Sequence, residues 1–204
     1  MFPDIKIFNC FNCDPMKKIL FMVLIVSVAL ISCNQTKKEN TTREKQEKAQ
    51  ADPEADVKAT TLSEVGQEVP AFTFQTTEGT TYSTEKLEGK IVLLNFFATW
   101  CPSCMKEMPA LQEKVWEEYK GNDEFFMVSL GREHNMEEMK EFKAEKGYDF
   151  HFAPDTARAI YGQFAEKYIP RNVLIDREGK IIYQCAGYKK EDFQQMLELI
   201  EQKL

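Results

Sequence analysis

Two cysteines three residues apart, Cys101 and Cys104, are the residues of this 204-residue chain best suited to chemistry. They stand in the segment Trp100-Cys101-Pro102-Ser103-Cys104, directly behind the apolar run Ile91–Phe97. Such a pair can supply half of a four-thiolate zinc site, or it can pass between dithiol and disulfide. The placement favours the second chemistry. A thiolate where a buried strand gives way to a helix meets unpaired amides and the positive helix end, which lower its pKa. Pro102 suits the first helical turn, where its missing N–H has no helical partner to lose. Cys101 is thus expected at an exposed cap, and Cys104 at the head of a buried stripe. One thiol can then attack an external disulfide while the shielded one resolves the mixed disulfide.

The stripe defines the helix that carries the pair. Cys104, Met108, Leu111, Val115 and Tyr119 recur at helical spacing and predict a helix from Pro102 to Tyr119. Pro109 lies inside it, at a cost of about 3 kcal/mol unless a kink accommodates it. The run Ile91–Phe97 reads as a strand buried on both faces, and Phe125–Leu130 as the next. Phe72–Thr76 and Thr80–Ser83 flank Thr77-Glu78-Gly79 as a hairpin. Asn135 with Glu138 forms a capping arrangement for a helix to about Lys146. A short strand at Phe150–Ala153 follows, then a helix over Thr156–Phe164 with Ala157, Ile160, Tyr161 and Phe164 inward. Strands Asn172–Asp176 and Lys180–Ala186 join through Arg177-Glu178-Gly179, and Phe193, Met196, Leu197 and Ile200 mark a final helix. Alternating strands and helices closed by a hairpin imply an α/β sandwich with a mixed sheet.

Ahead of this domain lie two segments of different character. Met16-Lys17-Lys18 precedes a 13-residue apolar run, Ile19–Ile31, too short to span a membrane but suited to a secretory signal. Its end, Leu30-Ile31-Ser32-Cys33, resembles the lipobox of bacterial lipoproteins. That resemblance implies cleavage before Cys33 and acylation of its thiol and new amino end. Residues 1–15 are unusual for a signal peptide, and Met16 is the better start. Cys10-x-x-Cys13 could complete a zinc site with Cys101 and Cys104 only if cleavage at Cys33 did not separate them. Asn34–Thr60 holds six basic and six acidic residues and no Leu, Ile, Phe, Trp, Tyr or Met. It cannot bury enough surface to order itself and reads as a tether reaching roughly 30 Å. The division is therefore leader and signal over 1–32, lipid-anchored tether over 33–61, and folded domain over 62–204.

The segment Phe96-Phe97-Ala98-Thr99-Trp100-Cys101-Pro102-Ser103-Cys104 resembles the active-site stretch of the thioredoxin superfamily, most closely the membrane-tethered TlpA/ResA-type thiol–disulfide oxidoreductases. Pro109, Ile169-Pro170 and the Val173-Leu174-Ile175-Asp176 strand with Gly179 in its turn extend the resemblance over roughly Val65–Leu204. It implies a thioredoxin-like sandwich with an N-terminal β-hairpin and a central helix–strand insertion. It also implies that Cys101 is the nucleophile, Cys104 the resolving thiol, and Pro170 a cis-proline facing the thiols. Trp100, Pro102, Ser103, Ile169 and Arg171 would line the substrate groove. Glu107 matches an acidic residue of ResA-like proteins and is assigned the handling of protons. Where relatives often carry two threonines after the proline, this chain has Arg171-Asn172, and Asn95 replaces the buried aspartate of thioredoxin.

The implied protein is an extracytoplasmic, monomeric reductase of disulfides in client proteins such as apocytochrome c or misoxidised envelope proteins. It would be recharged by a membrane thiol donor, be held by its lipid anchor in the cell envelope, and need neither cofactor nor metal. Pro102-Ser103 matches neither the histidine of strong oxidants nor the Gly-Pro of thioredoxin, and leaves direction to the resemblance. Three alternative chemistries share parts of this pattern. A copper chaperone of the Sco type would join His134 or His151 to the cysteines, which here are more closely spaced. A peroxidase-type redoxin would carry Thr or Ser where Ala98 stands. A redox-inactive lipoprotein module would need an unavailable thiol. Cys185 reads as a small core residue. The net charge of −7, and the 25 acidic against 17 basic residues of Leu62–Leu204, argue against nucleic-acid binding.

Overall fold

The computed structural model describes residues 52–204; the signal run, Cys33 and Cys10-x-x-Cys13 lie outside them. Seven consecutive apolar or amide residues, Ile91–Phe97, form β3, and every one is buried. β3 pairs in parallel with β4 (Phe125–Arg132) and antiparallel with β6 (Arg171–Ile175). Outer strands β5 (His151–Asp155) and β7 (Ile181–Ala186) complete a five-stranded mixed sheet in the order β5-β4-β3-β6-β7. β1 (Thr73–Gln75) and β2 (Thr81–Ser83) form the separate hairpin that Thr77-Glu78-Gly79 implied.

Alternation along β3 divides its side chains between two apolar clusters. Leu93 and Phe97 pack with Met108, Leu111 and Val115 of the helix that follows, and with Phe193 and Met196. Val92, Leu94 and Phe96 pack on the other face with Phe74, Tyr161 and Phe164. The helices are α1 (Pro53–Ala59), α2 (Pro102–Leu111), α3 (Met136–Lys146) and α4 (Lys190–Lys203). Beyond α2 the path continues through a wider π-type turn, Gln112–Trp116, and a last helical turn, Glu117–Tyr119. Pro109, three residues before this change, has no N–H for the Met105 carbonyl, and Gln112 N–H bonds both Met108 and Pro109 carbonyls. Asn135 and Glu138 close the capping box of α3 reciprocally. Among the described residues no helix is long and apolar enough to cross a membrane.

Two segments differ from the sequence pattern. The first is the chain ahead of Leu62, where the compact unit of the described residues reaches back to Pro53. α1 lies in the segment read as tether, and the chain behind it pairs with residues 164–166. Glu166 N–H donates to the Thr60 carbonyl (2.9 Å), and Leu62 N–H to that of Phe164 (2.8 Å). The attachment runs through backbone and hydroxyl groups, so it carries no apolar signal. The second is the helix over Thr156–Phe164, which is a series of turns ending in one 3-10 turn, Tyr161–Gln163. The Asp155 carboxylate accepts the N–H groups of Ile160 (3.1 Å) and Tyr161 (2.8 Å), and Arg158 takes a left-handed backbone. A side chain that captures amides in this way competes with helical bonding. Ile160, Tyr161 and Phe164 are buried, whereas Ala157 is exposed.

Candidate active site

The end of β3 and the start of α2 place Cys101 at the junction of strand and helix. Cys101 is the N-cap of α2, Pro102 occupies the first turn, and Cys101 Sγ accepts the Cys104 N–H at 3.2 Å. The two cysteines are joined by a disulfide, with Cα atoms 5.3 Å apart. Cys104 is fully buried, and Cys101 keeps only 4% of its surface, less than an open cap would give. Ser103 Oγ lies 3.4 Å and the Ile169 carbonyl oxygen 3.7 Å from its sulfur, and that carbonyl accepts the Ser103 hydroxyl at 3.5 Å. The Ile169–Pro170 bond is cis, and the Pro170 carbonyl accepts Gly187 N–H at 2.8 Å. Trp100 is 58% exposed beside the disulfide, with the Arg132 guanidinium 5.3 Å from its ring centre. Tyr168, also exposed, precedes Ile169 with a positive φ of 71°.

Under this surface lies a closed polar row. Ser129 of β4, Asn95 of β3, Asn172 of β6 and Cys185 of β7 stand opposite one another across the sheet. Ser129 Oγ donates to Asn95 Oδ1 (2.9 Å), and Asn95 Nδ2 to Asn172 Oδ1 (2.8 Å). Glu107, 1% exposed, descends onto the row from α2. Its Oε2 accepts Asn95 Nδ2 at 3.0 Å, and its Oε1 accepts Asn172 Nδ2 at 2.6 Å. Burial pushes the carboxyl up to about 7, against the lowering effect of the two amides. Near neutral pH both protonation states are therefore populated. Glu107 lies one helical turn past Cys104 on the same buried face of α2, and can hold or release one proton behind the dithiol. Cys185 Sγ is 3.9 Å from Asn172 Nδ2, and its thiol is pushed up by burial, so it is a poor nucleophile.

Arg171 departs from its assigned place in the groove. Its side chain is buried at 1% exposure and bonds Gln184 Oε1 (3.3 Å), Thr61 Oγ1 (3.2 Å) and the Lys167 carbonyl (3.5 Å). Alternation along β6 explains this, because Asn172 takes the Glu107 side and Arg171 the opposite one. The histidines that a copper site would recruit are engaged elsewhere. His134 Nε2 accepts the Thr99 N–H at 3.0 Å, and His151 Nδ1 lies 3.2 Å from Glu78. Among the described residues no three His, Cys, Asp or Glu side chains come together as a metal site. Sequence reasoning missed Asn172 and Ser129 as part of the Glu107 setting, and His134 as a support of the active-site loop. The available signal was one polar residue inside each of two apolar runs, Asn95 in Ile91–Phe97 and Ser129 in Phe125–Leu130.

Comparison with known proteins places this geometry in a family. The redoxin family model matches residues 64–200. The thiol–disulfide oxidoreductase ResA of Bacillus thuringiensis (strain Al Hakam) is 33% identical over 129 residues, covering 63% of this chain and 73% of that protein. ResA of Bacillus subtilis is 29% identical over 130 residues, covering 62% and 69%. Among solved structures, a protein of Bacteroides thetaiotaomicron provisionally designated a protein disulfide isomerase is 33% identical. It superposes with a TM-score of 0.68, covering 71% of this chain and 92% of the other. A Chlorobium tepidum protein provisionally designated the thiol:disulfide interchange protein DsbE is 26% identical, with a TM-score of 0.55 and coverage of 69% and 94%.

Proposed function

The chain belongs to the redoxin family, with a thioredoxin-like fold of the ResA kind, and on that premise we propose that it is a thiol–disulfide oxidoreductase acting on protein disulfides. One observation carries the reading: Cys101 caps α2 with its sulfur on the Cys104 amide, paired with Cys104 and facing the cis Ile169–Pro170 bond. In the reductive direction the Cys101 thiolate attacks a client disulfide, forming a mixed disulfide and releasing one client thiolate, which takes a proton. Cys104 then gives up its proton and attacks Cys101 Sγ. The second client thiol leaves, and the two electrons lost by the Cys101–Cys104 pair reside in the client dithiol. Glu107, with its carboxyl near 7, takes the Cys104 proton in the resolving step and returns it when a dithiol donor reduces the pair. Trp100, Pro102, Ser103, Ile169 and Tyr168 form the surface that meets the client.

The placement in the cell belongs to the same proposal. The apolar run Ile19–Ile31 and the lipobox-like Leu30-Ile31-Ser32-Cys33 support an envelope protein anchored through Cys33. A shorter tether, ending before Pro53, would hold the monomeric domain near its membrane donor and its clients, apocytochrome c or misoxidised envelope proteins among them. The test is trapping in the native envelope. Cys104→Ala should accumulate mixed disulfides with client polypeptides, labile to dithiothreitol, and Cys101→Ala should accumulate none. Equal yields from both variants, or none from Cys104→Ala, would refute the assignment.

A further inference from the structure

We infer that His134 is a positioning residue for the Cys101 nucleophile, acting as the fixed hydrogen-bond acceptor that holds the loop between β3 and α2. This goes beyond the proposed reaction while resting on Cys101 as its reactive sulfur. The ladder between β3 and β4 ends at the pair Phe97–Gly131, so the Thr99 N–H, two residues farther on, has no strand to bond. β4 supplies the replacement by turning back. Glu133 takes a left-handed backbone (φ 66°) and donates its N–H to the Asp155 carbonyl, and His134 N–H returns to the Gly131 carbonyl. These bonds carry the imidazole to Thr99, where Nε2 accepts the backbone N–H at 3.0 Å with the Thr99 hydroxyl 3.4 Å away.

The residue is buried and held through Nε2 and its backbone. It is 6% exposed, its backbone carbonyl accepts the Thr156 hydroxyl at 2.9 Å, and the Phe97 ring stands 6.4 Å away. Because Nε2 accepts, the ring proton sits on Nδ1. Nδ1 is buried with no acceptor at hydrogen-bonding geometry, and Glu138 Oε2 of α3 lies 3.4 Å from it. That same carboxylate oxygen accepts the Asn135 N–H at 2.7 Å in the capping box of α3. The charged group at ion-pair distance from the ring is Glu138 of α3, and Arg132 and Glu133 stand beside it in the chain. The titratable group in contact with Cys101 Sγ is its disulfide partner Cys104 of α2.

The consequence follows from what the loop holds. Trp100 and Cys101 come directly after Thr99, and Cys101 Sγ gains the helix-terminal amide only while it stays on the axis of α2. Freeing Thr99 lets the cap drift, so the thiolate loses part of that stabilisation. The test uses the full-length, reduced protein and the pH dependence of Cys101 alkylation by iodoacetamide. His134→Leu, which removes the acceptor, should raise the apparent Cys101 pKa by about half a unit and slow alkylation at pH 7 about two- to threefold. His134→Gln, whose side-chain oxygen can accept the same N–H, should stay within about twofold of wild type in rate and keep the wild-type pKa. Thermal midpoints are measured alongside, since a purely structural role would lower them without moving the thiol pKa. A wild-type thiol pKa in His134→Leu, or equal impairment of both variants, would overturn the inference. Should His134→Leu fail to fold, amide exchange in the wild type decides: Thr99 N–H must be protected, and exchange at the rate of an open loop rejects it. Alkylation reads the thiol without any client, so it stays separate from failure of the trapping experiment.

Discussion

Replacing Glu107 by glutamine should flatten the dependence of stability on pH between about 4.5 and 7. In the folded protein burial holds this carboxyl at about 7, whereas the ordinary value is 4.5. Below 4.5 both folded and unfolded chains carry the proton, and the residue contributes no pH dependence. Between the two values the folded protein keeps the proton that the unfolded chain has released, so stability falls as pH rises. Above about 7 both states are ionised and the loss is complete. The gap between 7 and 4.5, at 1.36 kcal/mol per unit, amounts to about 3 kcal/mol. Glutamine does not titrate and lacks this component. It also turns an N–H₂ group toward Asn95 or Asn172, leaving one amide donor unsatisfied at a cost of about 1–3 kcal/mol at every pH. Only the pH-dependent part tests the argument. Urea unfolding of the oxidised protein at pH 4.5, 5.5, 6.5 and 7.5 measures it by linear extrapolation. The other carboxylates, common to both proteins, largely cancel in the difference. Wild type should lose about 3 kcal/mol relative to Glu107→Gln across the series. Parallel curves, with a difference constant to about 0.5 kcal/mol, would refute the placement of Glu107 as a buried, poised carboxyl.

Three further outcomes follow from named contacts, and a fourth from the proposed anchor. Asn172→Leu removes the 2.6 Å donor that holds the Glu107 carboxyl down, so its titration should move above about 7. The alkaline shift should be visible in the pH profile of mixed-disulfide resolution. Gly131→Ala builds a Cβ 2.3 Å from Met139 Sδ and 3.2 Å from His134 Cβ, so urea midpoints should report a loss of about 1–3 kcal/mol. A chain beginning at Leu62 forgoes the Thr60–Glu166 backbone bond and the Thr61–Arg171 side-chain bond retained by one beginning at Asp52. It should unfold about 1–3 kcal/mol more easily, at about 1 kcal/mol per net bond and more for the stranded guanidinium. Cys33→Ala should release the protein from envelope membranes or leave the signal uncleaved. Mature wild-type protein in the soluble fraction with a free thiol at Cys33 would refute the anchor.

How much of this was legible in the sequence depends on what kind of force holds each part. β3, β4 and β7 announce themselves because continuous or alternating apolar residues are what a covered sheet requires, and the capping of α3 is written in two residues three apart. The α1 attachment and the turns of 156–164 were not legible. Backbone carbonyls at 164 and 60 and one carboxylate at Asp155 decide them, and apolar periodicity does not register such partners. The active site divides along the same line. Cys101, Cys104 and Pro109 follow one another along a single helix, so spacing alone relates them. The setting of Glu107 needs Asn95 and Asn172, which lie 77 residues apart and meet only through the antiparallel register of β3 with β6. Register also decides which side of the sheet each neighbour serves: it gives Asn172 to Glu107 and turns Arg171 away toward Thr61 and Gln184. A polar side chain in a doubly covered strand must find a partner, since an unmet buried amide costs about 1–3 kcal/mol. Asn95 in Ile91–Phe97 and Ser129 in Phe125–Arg132 were therefore informative as a pair. Adjacent parallel strands that each spend one buried position on a polar group do so to satisfy each other, and the acid above them takes the donor left over.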